Sequence, residues 1–328
     1  MAPEPQVQTI ESAATNADQA TTLVEAPIPT VPRTTKNITS ALSVQGRLTD
    51  ARLSEVSGLA ASNLNANRLW AINDSGNLAE LYALSLQATV EQVWPVEVQN
   101  RDWEALAAAS IDGVPHLVIA DTGDNLAVYD ESFIHLIKEP GNFTNTNKRL
   151  TPTSTLRFAY PDRPHNVEAM AVSGMFVYLL TKERLSGGIG VPSRIYRLTL
   201  QGNESESVQT AVYLGSVNMP TRNLKTRLLT KFLNLDPIQP TDLVITRDDN
   251  HAYVLNYLHV LHYERSGDES WQEAFSKTPK VIHQHGLRQA EALTASAHGH
   301  IWLTSEKTGA RLLAFKGAQS TNASRVSP

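Results

Sequence analysis

The chain contains no cysteine in 328 residues. Disulfides, thiolate metal sites, a cysteine nucleophile and lipid attachment to sulfur are therefore excluded. No run of 18 or more apolar residues occurs, so no membrane-spanning helix is expected. An excess of basic charge is missing too. Lys and Arg number 28 against 33 Asp and Glu, a net charge of -5, with no dense basic stripe and no interleaved aromatic platform. Nucleic acid is not an expected partner. Several catalytic signatures are also lacking: Gly-x-Ser-x-Gly, His-Glu-x-x-His, the phosphate-binding Walker loop and Gly-x-Gly-x-x-Gly.

What is present is a repeat. Ser54-Glu55-Val56-Ser57-Gly58-Leu59-Ala60-Ala61-Ser62 returns as Asp102-Trp103-Glu104-Ala105-Leu106-Ala107-Ala108-Ala109-Ser110. It returns again as Asn166-Val167-Glu168-Ala169-Met170-Ala171-Val172-Ser173 and as Gln289-Ala290-Glu291-Ala292-Leu293-Thr294-Ala295-Ser296. Pro240-Thr241-Asp242-Leu243-Val244-Ile245-Thr246 is a degenerate copy with Asp in place of Glu. Each copy opens a series of short β-like runs separated by turn residues, which indicates an all-β array. The second runs begin near residues 68, 116, 175, 252 and 300, and third and fourth runs follow. The fifth repeat has only three runs before a polar tail, while one unassigned run lies at 40–48. A ring closed by its own N-terminal strand accounts for both. The expected fold is a five-bladed β-propeller spanning 37–317.

Residues 1–36, rich in Ala, Thr, Pro, Glu and Gln, read as a disordered leader, and 318–328 as a disordered tail. A low-complexity leader before a β-rich domain suggests export, to the periplasm or the exterior. Insertions are expected at 182–193, a Gly-containing loop, and at 218–239, where 224–233 has the pattern of a short amphipathic helix. Trp70, Tyr178, Tyr253 and Trp302 share one position of the second strand and are expected in the core between blades.

In a propeller the first strand is innermost, and its start lies beside the end of the second. Glu55, Glu104, Glu168, Asp242 and Glu291 are thus expected on one face, round one axis. Asn73, Asp121, Thr181, Asn256 and Ser305 would end the second strands nearby. Carboxylates brought together in low dielectric repel strongly and need protons, basic partners or a cation. Hard oxygen ligands with no Cys or His favour Ca²⁺, then Mg²⁺, over zinc. The alternative is structural: the acids accept backbone N–H groups and staple blades together.

These acid-x-Leu/Met repeats, each followed by a Leu-Trp or Leu-Tyr type strand, resemble the SdiA-regulated family of five-bladed propellers. The layout is similar to that of calcium-activated nucleotidases (apyrases), a resemblance that implies five blades and a calcium ion in the central tunnel. On the same face the loops carry Arg101, Arg163, His165, Lys182, Arg184, Arg288 and Lys307, suited to a small anionic ligand. The reading that follows is a metal-dependent hydrolase of phosphate esters or anhydrides, with Asp74 or Asp121 as base. Lactone hydrolysis is the other chemistry considered. Against both stands a non-catalytic, monomeric propeller whose calcium is structural and whose face binds a ligand or a protein.

Two weaker signals are set aside. Asp74-Ser75-Gly76 and Asp121-Thr122-Gly123 resemble aspartic protease motifs, but they fall in adjacent repeats of one ring and read as turn chemistry. His283-x-His285 and His298-x-His300 show no third ligand at a telling spacing for zinc.

Overall fold

The computed structural model describes residues 40–141, 148–183, 191–200, 207–220, 226, 228 and 236–318. A first strand, β1 (Ser43–Leu48), precedes blade 1: β2 (Val56–Ala61), β3 (Arg68–Asn73), β4 (Glu80–Ser85) and β5 (Val90–Pro95). Blade 2 is β6 (Trp103–Ile111), β7 (Val114–Asp121), β8 (Ser132–Lys138) and β9 (Ser154–Ala159). Blade 3 holds β10 (Val167–Ser173), β11 (Phe176–Thr181) and β12 (Arg194–Thr199), then, past a short β13 (Gln209–Thr210), β14 (Val212–Ser216). Blade 4 is β15 (Asp242–Ile245), β16 (His251–Leu255), β17 (His259–Glu264) and β18 (Lys280–Gln284), with α1 (Trp271–Ser276) before the last strand. Blade 5 is β19 (Ala290–Ala295), β20 (His300–Ser305) and β21 (Ala310–Lys316).

Blade 5 is completed by β1, which pairs antiparallel with β21 from Ser43–Ala314 to Leu48–Ala310. The ring is therefore fastened by hydrogen bonds between the two ends of the propeller. The first strands touch in the cyclic order β2, β6, β10, β15, β19 and back to β2, which closes the circle. This is the expected all-β, five-bladed β-propeller.

Burial grades outward and explains the sequence pattern. Every residue of β2 and β3 is buried, so these strands read as continuous small and apolar runs. The outermost strands β14 and β18 are half-buried or exposed throughout. The blades are joined by five apolar clusters, one at each interface. Trp70, Tyr178, Tyr253 and Trp302 each fall in a different one, as expected of inter-blade core. Gly58 lies where the inner strands of blades 1 and 2 press closest; a Cβ there would stand 2.6 Å from the Leu106 backbone nitrogen.

Some features depart from expectation. β13 extends blade 2, pairing parallel with β9, although it arises within the segment of blade 3. Helix α1 was not anticipated. Its signal was legible, because Ser270 and Glu273 form a capping box, and Trp271 and Phe275 bury against the interface of blades 3 and 4. The amphipathic segment 224–233 lies outside the described residues except at 226 and 228, as do the leader and the tail from 319. Ala318, assigned to the tail, is buried, and its N–H donates to the Tyr253 hydroxyl at 2.7 Å.

Candidate metal centre

Three of the repeated acids fall on β-bulges. In β6, Trp103 pairs with Asp121 and Ala105 with Ala120, which leaves Glu104 as the extra residue. Glu168 is the extra residue in β10 and Glu291 in β19. A bulge re-aims the side chain it carries and turns the strand locally. Here it sends three glutamates towards the axis. One carboxylate oxygen from each lies within 4.8 Å of the other two, and all three residues are buried.

The other two acids do not join them, so the even ring of five is not what forms. In blade 1 the bulge residue is Ser57, not Glu55. Glu55 is exposed, and its Oε2 accepts from Asn77 Nδ2 at 2.7 Å. In blade 4 the pairing of β15 with β16 has no bulge, and Asp242 pairs with Leu255. The Asp242 side chain is fully buried as a staple. It accepts the N–H of Leu243 at 2.7 Å and, across the interface, that of Leu293 at 2.5 Å. The structural alternative therefore describes Asp242.

Hydroxyls hold the bulges in place. Ser57 Oγ donates to the Trp103 carbonyl at 2.7 Å, Thr122 Oγ1 to that of Val167 at 2.8 Å, and Thr241 Oγ1 to that of Ala290 at 2.7 Å. Each of these carbonyls belongs to the residue just before an axial glutamate. Each hydroxyl comes from the preceding blade, so neighbouring blades fix one another's acids.

The site extends outward through Asp74 and Asp102, which are half-buried and form with Glu104 a second group whose oxygens lie within 4.8 Å. The surroundings of the five acids differ. Lys182 Nζ ion-pairs with Glu168 Oε2 and donates to the Tyr257 hydroxyl at 2.9 Å. That hydroxyl donates to Glu291 Oε1 at 2.6 Å, and Asn166 Nδ2 donates to Glu168 Oε1 at 3.1 Å. Glu104 receives no ion pair and no hydrogen bond from any described residue, although it is only 4% exposed. Gly123 lies directly against it. A Cβ at that position would overlap both the Asp102 and Glu104 carboxylates.

The electrostatics follow from this crowding. Burial, then the neighbouring carboxylates of Glu168, Asp74, Asp102 and Glu291, push Glu104 well above the usual carboxylate range. Burial raises Glu168 and Glu291 to about 7, with Lys182 opposing the shift in both. Asp74 is raised to about 6 by burial, against a hydrogen bond from the Ser75 N–H and with added repulsion from Asp102. Two unit charges about 4.8 Å apart repel by about 3.5 kcal/mol at an effective dielectric near 20. Three ionised carboxylates at that spacing cost about 10 kcal/mol, on the order of a whole domain's stability. Lys182 opposes that repulsion at Glu168 and Glu291, but it forms no ion pair with Glu104, Asp74 or Asp102. Protons or a cation must share the site.

The remaining expected residues are placed as follows. Asp121 is buried and clamps the entry to β6: its Oδ1 accepts the Asp102 N–H at 3.0 Å, and Arg101 Nε stands 3.6 Å away. Arg101 lies over Tyr129 and donates to the Glu131 carbonyl at 2.9 Å. His165 is buried between Glu183 and Asp162, each at 3.1 Å, and Arg163 pairs with Glu183 at 2.9 Å. Among the described residues of this set, Lys182 alone reaches the axial acids. Arg288 and Lys307 are exposed, and Arg184 lies outside the described residues. Asp74 and Asp121 have different neighbours and form no dyad. His285 is committed to the Asn256 carbonyl at 2.9 Å and to the Leu287 N–H at 3.1 Å.

Sequence reasoning missed Asp102, Gly123, Asn166 and Tyr257 as parts of the site. Asp102 and Gly123 had a visible signal, since they stand in Asp-Trp-Glu and Asp-Thr-Gly-Asp-Asn. Tyr257 had none. At the far end of the axis a second concavity of about 240 Å³ is lined mainly by small side chains, among them Ala61, Ala108, Ala171 and Ala295. It lies at the opposite ends of the first strands and is separate from the acids.

Fold and site together define a five-bladed β-propeller with a buried acidic centre at one end of its axis. No family model matches the chain, and no curated protein matches it. Among solved structures, the PQQ-bound aldose sugar dehydrogenase of Streptomyces coelicolor is similar at 9% identity and a TM-score of 0.45, over 84% of this chain and 98% of that one. The soluble aldose sugar dehydrogenase of Escherichia coli, in its apo form, is similar at 10% identity and a TM-score of 0.41, over 84% and 99%. At that distance the likeness carries nothing about activity. The blade count rests on the strand pairing described above.

Proposed function

We propose that the axial carboxylates hold a divalent cation, calcium before magnesium, and that this protein is an exported calcium-binding propeller whose acid-bearing face binds a ligand or protein partner. The observation that carries this reading is Glu104: a buried carboxylate beside four others, with no described cation or donor to offset it. Oxygen donors alone, with half-exposed Asp74 and Asp102 giving access from solvent, suit a hard cation of loose geometry. Two oxygens on opposite sides of one calcium stand at most about 5 Å apart, since each bond is about 2.4 Å. Both acid groups meet that limit. The low-complexity composition of residues 1–36 supports a periplasmic or extracellular location.

The binding reading ranks ahead of hydrolysis because Arg101, Arg163 and His165, expected to receive an anion, are engaged elsewhere. One observation favours hydrolysis of a phosphate ester or anhydride as a second reading. Asp74 is half-exposed at the mouth, and a carboxyl raised to about 6 is suited to taking a proton near neutral pH. When bound, the ion would polarise an oxygen of the ligand. Lactone hydrolysis would make the same demands.

Calorimetric titration of EDTA-treated protein with calcium tests the centre. Binding is expected for the natural chain and a loss of at least tenfold in affinity for Glu104→Gln; equal binding by both would remove Glu104 from the site. A phosphatase, nucleotidase and lactonase panel with calcium or EDTA separates the two functional readings. Turnover that disappears with EDTA supports hydrolysis, and flat rates throughout leave the binding protein.

A further inference from the structure

We infer that the axial acids are divided into two half-sites by Lys182, and that a single divalent cation is confined to the outer one, Asp74, Asp102 and Glu104. This rests on the calcium reading above and adds where the ion sits and why there is only one.

The two acid groups share Glu104 but differ in everything else. The inner group, Glu104 with Glu168 and Glu291, already contains a cation. The Lys182 ammonium ion-pairs with Glu168, and through the Tyr257 hydroxyl it connects to Glu291. Asn166 occupies a further oxygen of Glu168. Oxygens engaged in this way are poor ligands, because an incoming ion would have to displace an ammonium held close to them.

The outer group has no such occupant. Among the described residues, no lysine or arginine pairs with Asp74, Asp102 or Glu104 in the structure, and only the Ser75 N–H donates to Asp74. Glu104 is the buried, unpartnered ligand, and its carboxylate points to the pair at the mouth. Gly123 keeps the space beside Asp102 and Glu104 clear of side-chain carbon. Lys182 acts as an internal substitute for a second ion. It lowers the charge of the inner half, and it makes binding at the outer half a one-ion event.

Calcium titration by calorimetry on the full chain tests this. The natural protein should bind one calcium. Asp102→Asn should weaken binding at least tenfold, while Glu168→Gln should change it less than about threefold. Lys182→Met should bind two calcium ions, because the inner glutamates are then free. Equal losses for Asp102→Asn and Glu168→Gln would overturn the division, and so would two ions in the natural protein or one in Lys182→Met. The Asp102 and Glu168 variants keep the test decisive if Lys182→Met fails to fold. No calcium binding by the natural chain would instead remove the metal reading itself.

Discussion

Glu104 shows how one residue can be unfavourable for folding and useful for binding. Its burial beside other acids works against the folded state and is offset only by something positive. The smallest neighbour matters as much as the charge. Gly123 has no side chain, and any Cβ would collide with the two carboxylates that frame the outer half-site. Gly123→Ala should therefore lower calcium affinity by about tenfold or more, since ligands displaced by a fraction of an ångström lose their geometry. Calorimetric titration beside a thermal melt would show whether the loss belongs to the site or to the fold as a whole.

At the level of elements, the bulge decides which acids meet. β6, β10 and β19 each accommodate an extra residue, and in each the extra residue is a glutamate. Ser57, Thr122 and Thr241 hold those bulges from the neighbouring blade. Thr122→Val removes the donor to the Val167 carbonyl, at a cost of about 1–3 kcal/mol for a stranded buried group. It should also reduce calcium affinity, because Thr122 precedes Gly123, which lies against the Asp102 and Glu104 carboxylates. Asp242→Ala leaves the Leu243 and Leu293 N–H groups without an acceptor, so it should destabilise by about 1–3 kcal/mol for each. Calcium binding by Asp242→Ala should stay within about twofold of the natural protein. A tenfold loss would return Asp242 to the ligand set. These two variants separate a staple from a support of the ion, by chemical denaturation and titration together.

At the scale of the whole molecule, the acids couple stability to pH. Glu168 and Glu291 are raised to about 7 and Asp74 to about 6, from ordinary values of 4.5 and 3.8. Well below the ordinary values both the folded and the unfolded chain hold these protons. Between there and pH 7 the folded chain holds more protons than the unfolded one, so stability falls as pH rises through that window. Ion-free protein should melt several degrees lower at pH 8 than at pH 5.5, and calcium at pH 8 should restore the difference. A flat melting temperature across that range would mean the acids are already neutralised by something else. The closure by β1 sets the other global property. Deleting residues 1–48 exposes the edge of β21 and removes Leu48 from the core between blades 1 and 5. The truncated chain should lose its single cooperative melt and aggregate, as scanning calorimetry and light scattering would register.

The amino-acid sequence alone determined the number of blades, the order of strands and the closing strand, because repeated buried runs and turn residues are local and periodic. The second strands, expected to begin near residues 68, 116, 175, 252 and 300, begin at Arg68, Val114, Phe176, His251 and His300. It also marked Glu104, Glu168 and Glu291. Only the tertiary structure decided that Glu55 and Asp242 stand apart, because a one-residue bulge shifts every later side chain and leaves no trace in composition. Only the fold brought Asp102, Lys182 and Tyr257 from three blades to one axis. The chain that separates them carries no pattern from which their meeting could be read.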